Sequence, residues 1–326
     1  MSLRKSLFLL LATLCAVVPE ILSQSTAPNP GGNQPRFRAD VDQVVLYAAV
    51  YDRKGQLVRG LSRNDFRVFE DAVPQEITYF GADEGAATVG LVIDVSGSML
   101  YTLAKVKRAA RDFVEEQDPR TESFLIVFNQ DVRLRKGFTR KFDEITGALE
   151  DLEARGGTAL YDAIYLGVEN AEKGTESKKI LLVFTDGVDK DSIYQFPELR
   201  ERIRRSEVQV HFVAFLQEEK RGIEFEDDFK RRREEVVSQL REIAAQSGGR
   251  AFFAEQEGEL KTAFQSIARD ARHQYRLAYI SSNRRQDGTW RNIEVELTDA
   301  TERGRRVRAR RGYFAKSGVG EGKSVE

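Results

Sequence analysis

Hydrophobic residues fall along this chain in two textures. Between residues 87 and 271, short apolar runs alternate with amphipathic stretches. Val89-Gly90-Leu91-Val92-Ile93 is continuously apolar, the pattern of a strand covered on both faces. Leu103, Val106, Ala110, Phe113 and Val114 then recur at three- and four-residue spacing, which predicts a helix. Residues 124–128, 180–184 and 208–215 read as further buried strands, 251–253 as a short one, and 132–134 as a return from a hairpin at Asn129-Gln130. Helices are predicted up to Leu149 and Leu152, over 160–168, over 226–246 and over 257–271. In 226–246, Phe229, Val236, Val237, Leu240, Ile243 and Ala244 gather on one side, and Gly248-Gly249 ends the helix. Strands alternating with helices imply an α/β domain with a doubly wound, mostly parallel sheet.

The second texture flanks the first. Residues 41–50, 66–69 and 77–80 precede the α/β stretch, and 275–280, 290–297 and 307–314 follow it. Turn residues such as Asp52-Arg53-Lys54-Gly55 and Asp287-Gly288 separate them, and no helical period fits. Three strands a side would leave an apolar face open to water. The ends of a domain usually lie close together. Segments 36–86 and 272–316 are therefore expected to complete one six-strand sandwich, with 87–271 inserted between them. Two separate β ribbons packed on the α/β domain are the alternative.

The remaining segments carry addresses and tethers. Arg4-Lys5, an apolar run over 7–18 and Ser23-Gln24-Ser25 have the layout of a signal peptide, which predicts cleavage after Ser25 and a periplasmic or extracellular protein. The apolar run is shorter than the ~20 residues of a membrane-crossing helix, which weighs against an uncleaved anchor. Residues 26–35 and 317–326 read as a flexible linker and tail. Cys15, the single cysteine, lies in the apolar run.

Composition narrows the chemistry. The 326 residues include 51 Lys+Arg against 52 Asp+Glu, so net charge gives no reason to expect nucleic acid as a partner. Two histidines and one cysteine cannot supply a Cys/His zinc site, a disulfide framework or a redox pair. Ser96 lies in Val-Ser-Gly, not in the G-x-S-x-G of an activated nucleophile. It also stands where a haloacid-dehalogenase phosphatase would need its second Asp. A Gly-rich phosphate loop with Lys is missing. His211 falls in a core strand as a satisfied core or edge residue, and His273 at a junction. Residues 301–316 hold seven basic side chains and one acidic. Such a stretch reads as a charged edge strand, with contact to an anionic envelope surface as the alternative.

Three strand-end loops carry the remaining candidates. Asp94-Val95-Ser96-Gly97-Ser98 ends the first core strand, Thr158 follows Gly156-Gly157, and Asp186 stands in Thr185-Asp186-Gly187 at the end of another. Ligands of open α/β sheets sit at this edge. Singly, each piece reads as a helix cap or turn. Together they form an all-oxygen set suited to a hard cation, Mg²⁺ best, Mn²⁺ or Ca²⁺ otherwise. Asp189 and Asp191 are expected to solvate the loop or start a helix. Asp94, Ser96, Ser98, Thr158 and Asp186 resemble the von Willebrand factor A domain, whose metal-ion-dependent adhesion site is Asp-x-Ser-x-Ser with a distant Thr and a distant Asp. The resemblance covers 87–271. It implies direct metal binding by Ser96, Ser98 and, depending on conformational state, Thr158, with Asp94 and Asp186 acting mainly through water. The reading that follows is a non-enzymatic adhesion or scaffold module whose open metal position takes an Asp or Glu side chain from a protein partner, with an envelope scaffold in which the metal only stabilises the domain as a further alternative. The whole chain resembles exported von Willebrand-type proteins of acidobacteria. A metal-assisted hydrolase, or a subunit of an envelope enzyme complex, is the rival reading.

Overall fold

The computed structural model describes residues 43–83, 85–186, 188–215, 226–254, 256–298 and 304–317. The expected leader, its cleavage point, the linker and nearly all of the tail lie outside the described residues, as does the side chain of Phe229. The chain opens with β1 (Gln43–Tyr51), β2 (Phe66–Glu70), β3 (Val73–Gln75) and β4 (Ile77–Asp83). The alternating region then runs β5 (Thr88–Asp94), α1 (Leu103–Glu115), β6 (Glu122–Phe128), β7 (Val132–Thr139), α2 (Phe142–Glu150), α3 (Leu160–Glu172) and β8 (Lys179–Thr185). It continues through α4 (Phe196–Arg204), β9 (Gln209–Phe215), α5 (Glu226–Ser247), β10 (Ala251–Ala254) and α6 (Glu257–Arg272). It is followed by β11 (Gln274–Ile280), β12 (Trp290–Leu297), β13 (Arg306–Arg308) and β14 (Gly312–Phe314).

The central sheet has the order β10-β9-β8-β5-β6-β7. Every pairing in it is parallel except β6 with β7, the hairpin expected at Asn129-Gln130. All seven residues of β5 are buried because helices cover both faces. Leu91 and Ile93 pack with Phe113, Ile145 and Phe264 of α1, α2 and α6. Val92 packs on the other face with Ile164, Leu199 and Leu240 of α3, α4 and α5. A continuous apolar run is what such two-sided burial requires.

The flanks form two four-stranded sheets, β13-β1-β11-β4 and β14-β12-β2-β3. Each sheet draws strands from both flanks, and one apolar core joins them, with Leu46, Val50 and Leu277 against Val68 and Ile293. The buried Glu70 carboxylate ties the two sheets. It accepts from the hydroxyls of Tyr279 at 2.8 Å, Ser281 at 2.6 Å and Tyr313 at 3.0 Å. Among the described residues these strands number eight, not six. Asp71 and Ala72 turn β2 back at φ 48° and 65°, which creates β3. The stretch expected as one strand over 307–314 divides, because β13 pairs with β1 in one sheet and β14 with β12 in the other. Between them the Arg311 N–H donates to the Gln246 carbonyl at the end of α5.

A buried polar cluster joins the sandwich to the α/β layer. Asp270 of α6 pairs with Arg250 at 3.1 Å and with Arg308 of β13 at 3.6 Å. His211 lies beside them on interior strand β9 and is only half satisfied. Its Nδ1 accepts from the Arg250 backbone N–H at 3.2 Å, while Nε2 has no partner. Burial, followed by the charges of Arg308 and Arg250, pushes its pKa down to about 3. An unfolded histidine protonates near pH ~6.5. The fold is thus favoured above that pH and loses stability as pH falls toward 3, by ~1.4 kcal/mol per unit. Between pH 7.5 and pH 5, wild type is expected to lose ~2 kcal/mol more than His211→Gln in urea unfolding. Identical losses would show that His211 does not titrate in this way.

Candidate metal centre

Strands β5, β6 and β8 are neighbours in the sheet, so the loops leaving their carboxyl ends meet at one edge. The first loop folds around Asp94, which is fully buried. The Ser96 N–H donates to Asp94 Oδ1 at 2.8 Å, and the Thr185 hydroxyl to Oδ2 at 2.8 Å. This turn sets the hydroxyl oxygens of Ser96 and Ser98 3.1 Å apart. Ser96 is buried, and Ser98 faces solvent.

The second loop docks on the first through the Gly97 N–H, which donates to the Gly156 carbonyl at 3.0 Å. Residues at the end of β6 hold it from the side. The Gly157 N–H donates to Gln130 Oε1 at 3.0 Å, and the Ala159 N–H to the Asn129 carbonyl at 2.6 Å. The third loop clamps Thr158. Asp191 Oδ2 accepts the Thr158 N–H at 2.6 Å, and the Thr158 carbonyl accepts from the N–H groups of Lys190 and Asp191 at 2.9 and 3.1 Å. A Cβ at 157 would fall on Asp191 Oδ2 and displace the carboxylate that holds Thr158. Asp189 caps the start of α3, accepting from the Tyr161 N–H at 3.2 Å and the Ser192 hydroxyl at 2.5 Å.

Asp186 completes the set and is its least satisfied member. Its Oδ1 is buried without a hydrogen-bond partner. No Lys or Arg among the described residues pairs with Asp94 or Asp186. Burial and then the Asp186 charge push the Asp94 carboxyl up to about 7, against hydrogen bonds from Ser96 and Thr185 that pull it down. Two acids facing one another without a cation are a costly arrangement in a partly buried site. A divalent ion would relieve it. The hydroxyl spacing also fits, since adjacent ligands of an octahedral ion with ~2.1 Å bonds stand ~3 Å apart. A cluster of three or more His, Cys, Asp or Glu is absent among the described residues. The metal-competent donors here are two carboxylates and a set of hydroxyls.

Sequence reasoning missed the supports. Thr185, Asn129, Gln130 and Asp191 make hydrogen bonds that hold the three loops together. Their only advance signal was position, since Asn129-Gln130 follows β6 and Thr185 ends β8, both beside β5 at the ligand edge.

Fold and site together define an open α/β domain with an oxygen-rich loop cluster at the carboxyl edge of its sheet. The chain belongs to the von Willebrand factor type A domain family, whose model matches residues 89–266, more than half of the chain. Membership makes this region a module of the protein-interaction or adhesion type, and domains of the family often hold a divalent cation. An uncharacterized protein of Synechocystis sp., sll0103, is 34% identical over 101 residues. That match spans 30% of this chain and 24% of the cyanobacterial protein. Among solved structures, BatB from Bacteroides thetaiotaomicron is 21% identical, with 57% of this chain and 99% of BatB aligned at a TM-score of 0.44. The pilus adhesin SpaC of Lactobacillus rhamnosus GG is 13% identical, with 80% of this chain and 49% of SpaC aligned at a TM-score of 0.47. No helix among the described residues is long and apolar enough to cross a membrane.

Proposed function

We propose that this is an exported, non-enzymatic binding module that captures an acidic side chain of a protein partner through a divalent cation, Mg²⁺ in the first instance. The observation that carries this reading is the unpartnered, buried Oδ1 of Asp186 beside Asp94, next to two hydroxyls at ligand spacing. Ser96, Ser98 and Thr158 would hold the ion, and Asp94 and Asp186 would stand behind them and lend charge. When bound, the ion supplies a Lewis-acidic position for an external carboxylate. Asp94 keeps the first loop folded through its two accepted hydrogen bonds, and Asp191 keeps Thr158 in place.

The surroundings suit a protein partner. Leu100 and Tyr101 follow the first loop and are 59% and 78% exposed, and Ile193 in the third loop is 86% exposed. Large apolar side chains at the ends of two site loops favour an acidic residue flanked by apolar neighbours. The charged-then-apolar stretch over 4–18 supports export.

Selection of displayed peptides on the immobilised chain in Mg²⁺, with elution by EDTA, tests the reading. Enriched sequences are expected to share an Asp or Glu beside apolar residues, and changing that acid to its amide should abolish capture. Enrichment without any shared acid, or capture indifferent to EDTA, would refute it.

A further inference from the structure

A second chemically distinctive place lies far from the strand-edge loops, where the end of α5, β10 and the edge strand β13 enclose a cleft of about 680 Å³. Among the described residues, seven arginines line it, against Asp52 and Glu294. The chain as a whole has 51 basic and 52 acidic residues, so this local excess is not a consequence of composition. Arg250 and Arg308 share Asp270, and Arg310 pairs with Glu207 at 3.0 Å. Arg241, Arg306 and Arg311 are exposed, and none of them pairs with a carboxylate among the described residues.

Rings as well as acids hold several of these guanidiniums. Arg241 lies 5.0 Å from the centre of the Phe253 ring, Arg250 4.2 Å from that of Phe252, and Arg308 4.4 Å from that of Tyr51. An aromatic face orients a guanidinium without occupying its N–H groups. The Arg241 fork is thereby set in place and left open, whereas Arg250 also donates to Ser266 and Asp270 and Arg308 to the Tyr51 hydroxyl. The Arg310 side chain is 10% exposed, and its Nε is buried without an acceptor. Arg250 and Arg308 also repel each other, and after burial their charges are the further causes that lower His211.

Protection of a sheet edge accounts for Arg306, which lies on edge strand β13. It does not account for Arg241 on α5 or for Arg311 beyond the strand. Several forks brought to one cleft by different elements suit an oxyanion with three terminal oxygens, whereas one fork suffices for a carboxylate. The cleft also has the size of an ordinary ligand pocket, ~300–1,000 Å³, which leaves room for whatever bears the anion. We propose that this cleft binds a phosphate monoester. A soluble ester and a lipid headgroup present the same group, and the test separates them.

The full chain is titrated calorimetrically with inorganic phosphate at low ionic strength. In parallel it is floated with phosphatidylcholine vesicles with and without phosphatidic acid. EDTA is present throughout, so that no anion is held through a cation at the strand-edge site. The variant joins Arg241→Gln, Arg306→Gln and Arg311→Gln, and its melting temperature checks the fold. The control joins Arg133→Gln, Arg135→Gln and Lys136→Gln on β7. Saturable binding by wild type is expected, weakened at least tenfold in the cleft variant and less than twofold in the control. Binding of phosphate without a preference for phosphatidic acid would assign a soluble ester. A response to phosphatidic acid that the cleft variant loses would assign a headgroup. No saturable binding to either probe, or equal loss in variant and control, would overturn the proposal.

Discussion

Ser98→Ala is expected to melt like the parent chain in EDTA and to lose the stabilisation that Mg²⁺ confers on the parent. Ser98 is exposed, and among the described residues its hydroxyl contacts the Ser96 hydroxyl, which keeps the Asp94 carboxylate as a partner, so its removal should cost the metal-free fold little. A ligand that binds only the folded state stabilises it by ~2.7 kcal/mol at a hundredfold excess over Kd. Loss of a supporting group around a metal typically costs ~10–100-fold in affinity, and loss of a direct ligand should reach at least the upper end. Thermal melts of both chains across a Mg²⁺ series give the comparison. Acidic-peptide capture should fall in parallel. A variant that still gains the full Mg²⁺ shift would remove Ser98 from the ligand set.

Gly249→Ala is expected to be the most damaging single-methyl change in the α/β layer. A Cβ at this position would fall on the Val210 carbonyl oxygen. Val210 belongs to β9, which is held between β8 and β10, so the obstructing atom cannot rotate away as a side chain would. Overpacking costs ~1–3 kcal/mol where side chains can yield. With backbone in the way, about 3 kcal/mol or more is expected, a fall in Tm of about 5 °C or more for a chain of this size. Gly147→Ala supplies the contrast. It meets nothing within 4 Å in α2, and should be neutral or stabilise by up to ~1 kcal/mol. Equal behaviour of the two variants would contradict the packing described at Val210.

The alternating core was legible because burial on both sides of a sheet writes itself as continuous apolar runs. Residues 89–93, 124–128 and 180–184 all lie in central strands. The flanks were legible as β structure but not in strand number. The β2–β3 turn uses Asp71-Ala72 at positive φ in place of the Asn-Gly or Asp-Gly pair that normally signals a two-residue hairpin, so β3 gave no warning. The break between β13 and β14 follows from a backbone bond to the end of α5, a contact that no local pattern encodes. At the site, residue types and the strand-end positions of Asp94, Ser96, Ser98 and Asp186 together pointed to an all-oxygen set, although Thr158 stands between α2 and α3 and not at a strand end. What spacing could not convey was the scaffold. The grip of Asp191 on Thr158 and that of Thr185 on Asp94 are tertiary facts, as is the satisfied state of Asp189 at the start of α3. His211 shows the same limit, for its half-satisfied ring depends on Arg250 and on a strand added beside it.

Electron paramagnetic resonance of Mn²⁺ added to the metal-free chain tests the central claim most directly, because bound Mn²⁺ loses the sharp signal of the free ion. One Mn²⁺ per chain, displaced by Mg²⁺ and not taken up by a Ser96→Ala, Ser98→Ala double variant, is the result expected. An undiminished free-ion signal in the parent chain, or uptake that survives in the double variant, would contradict it.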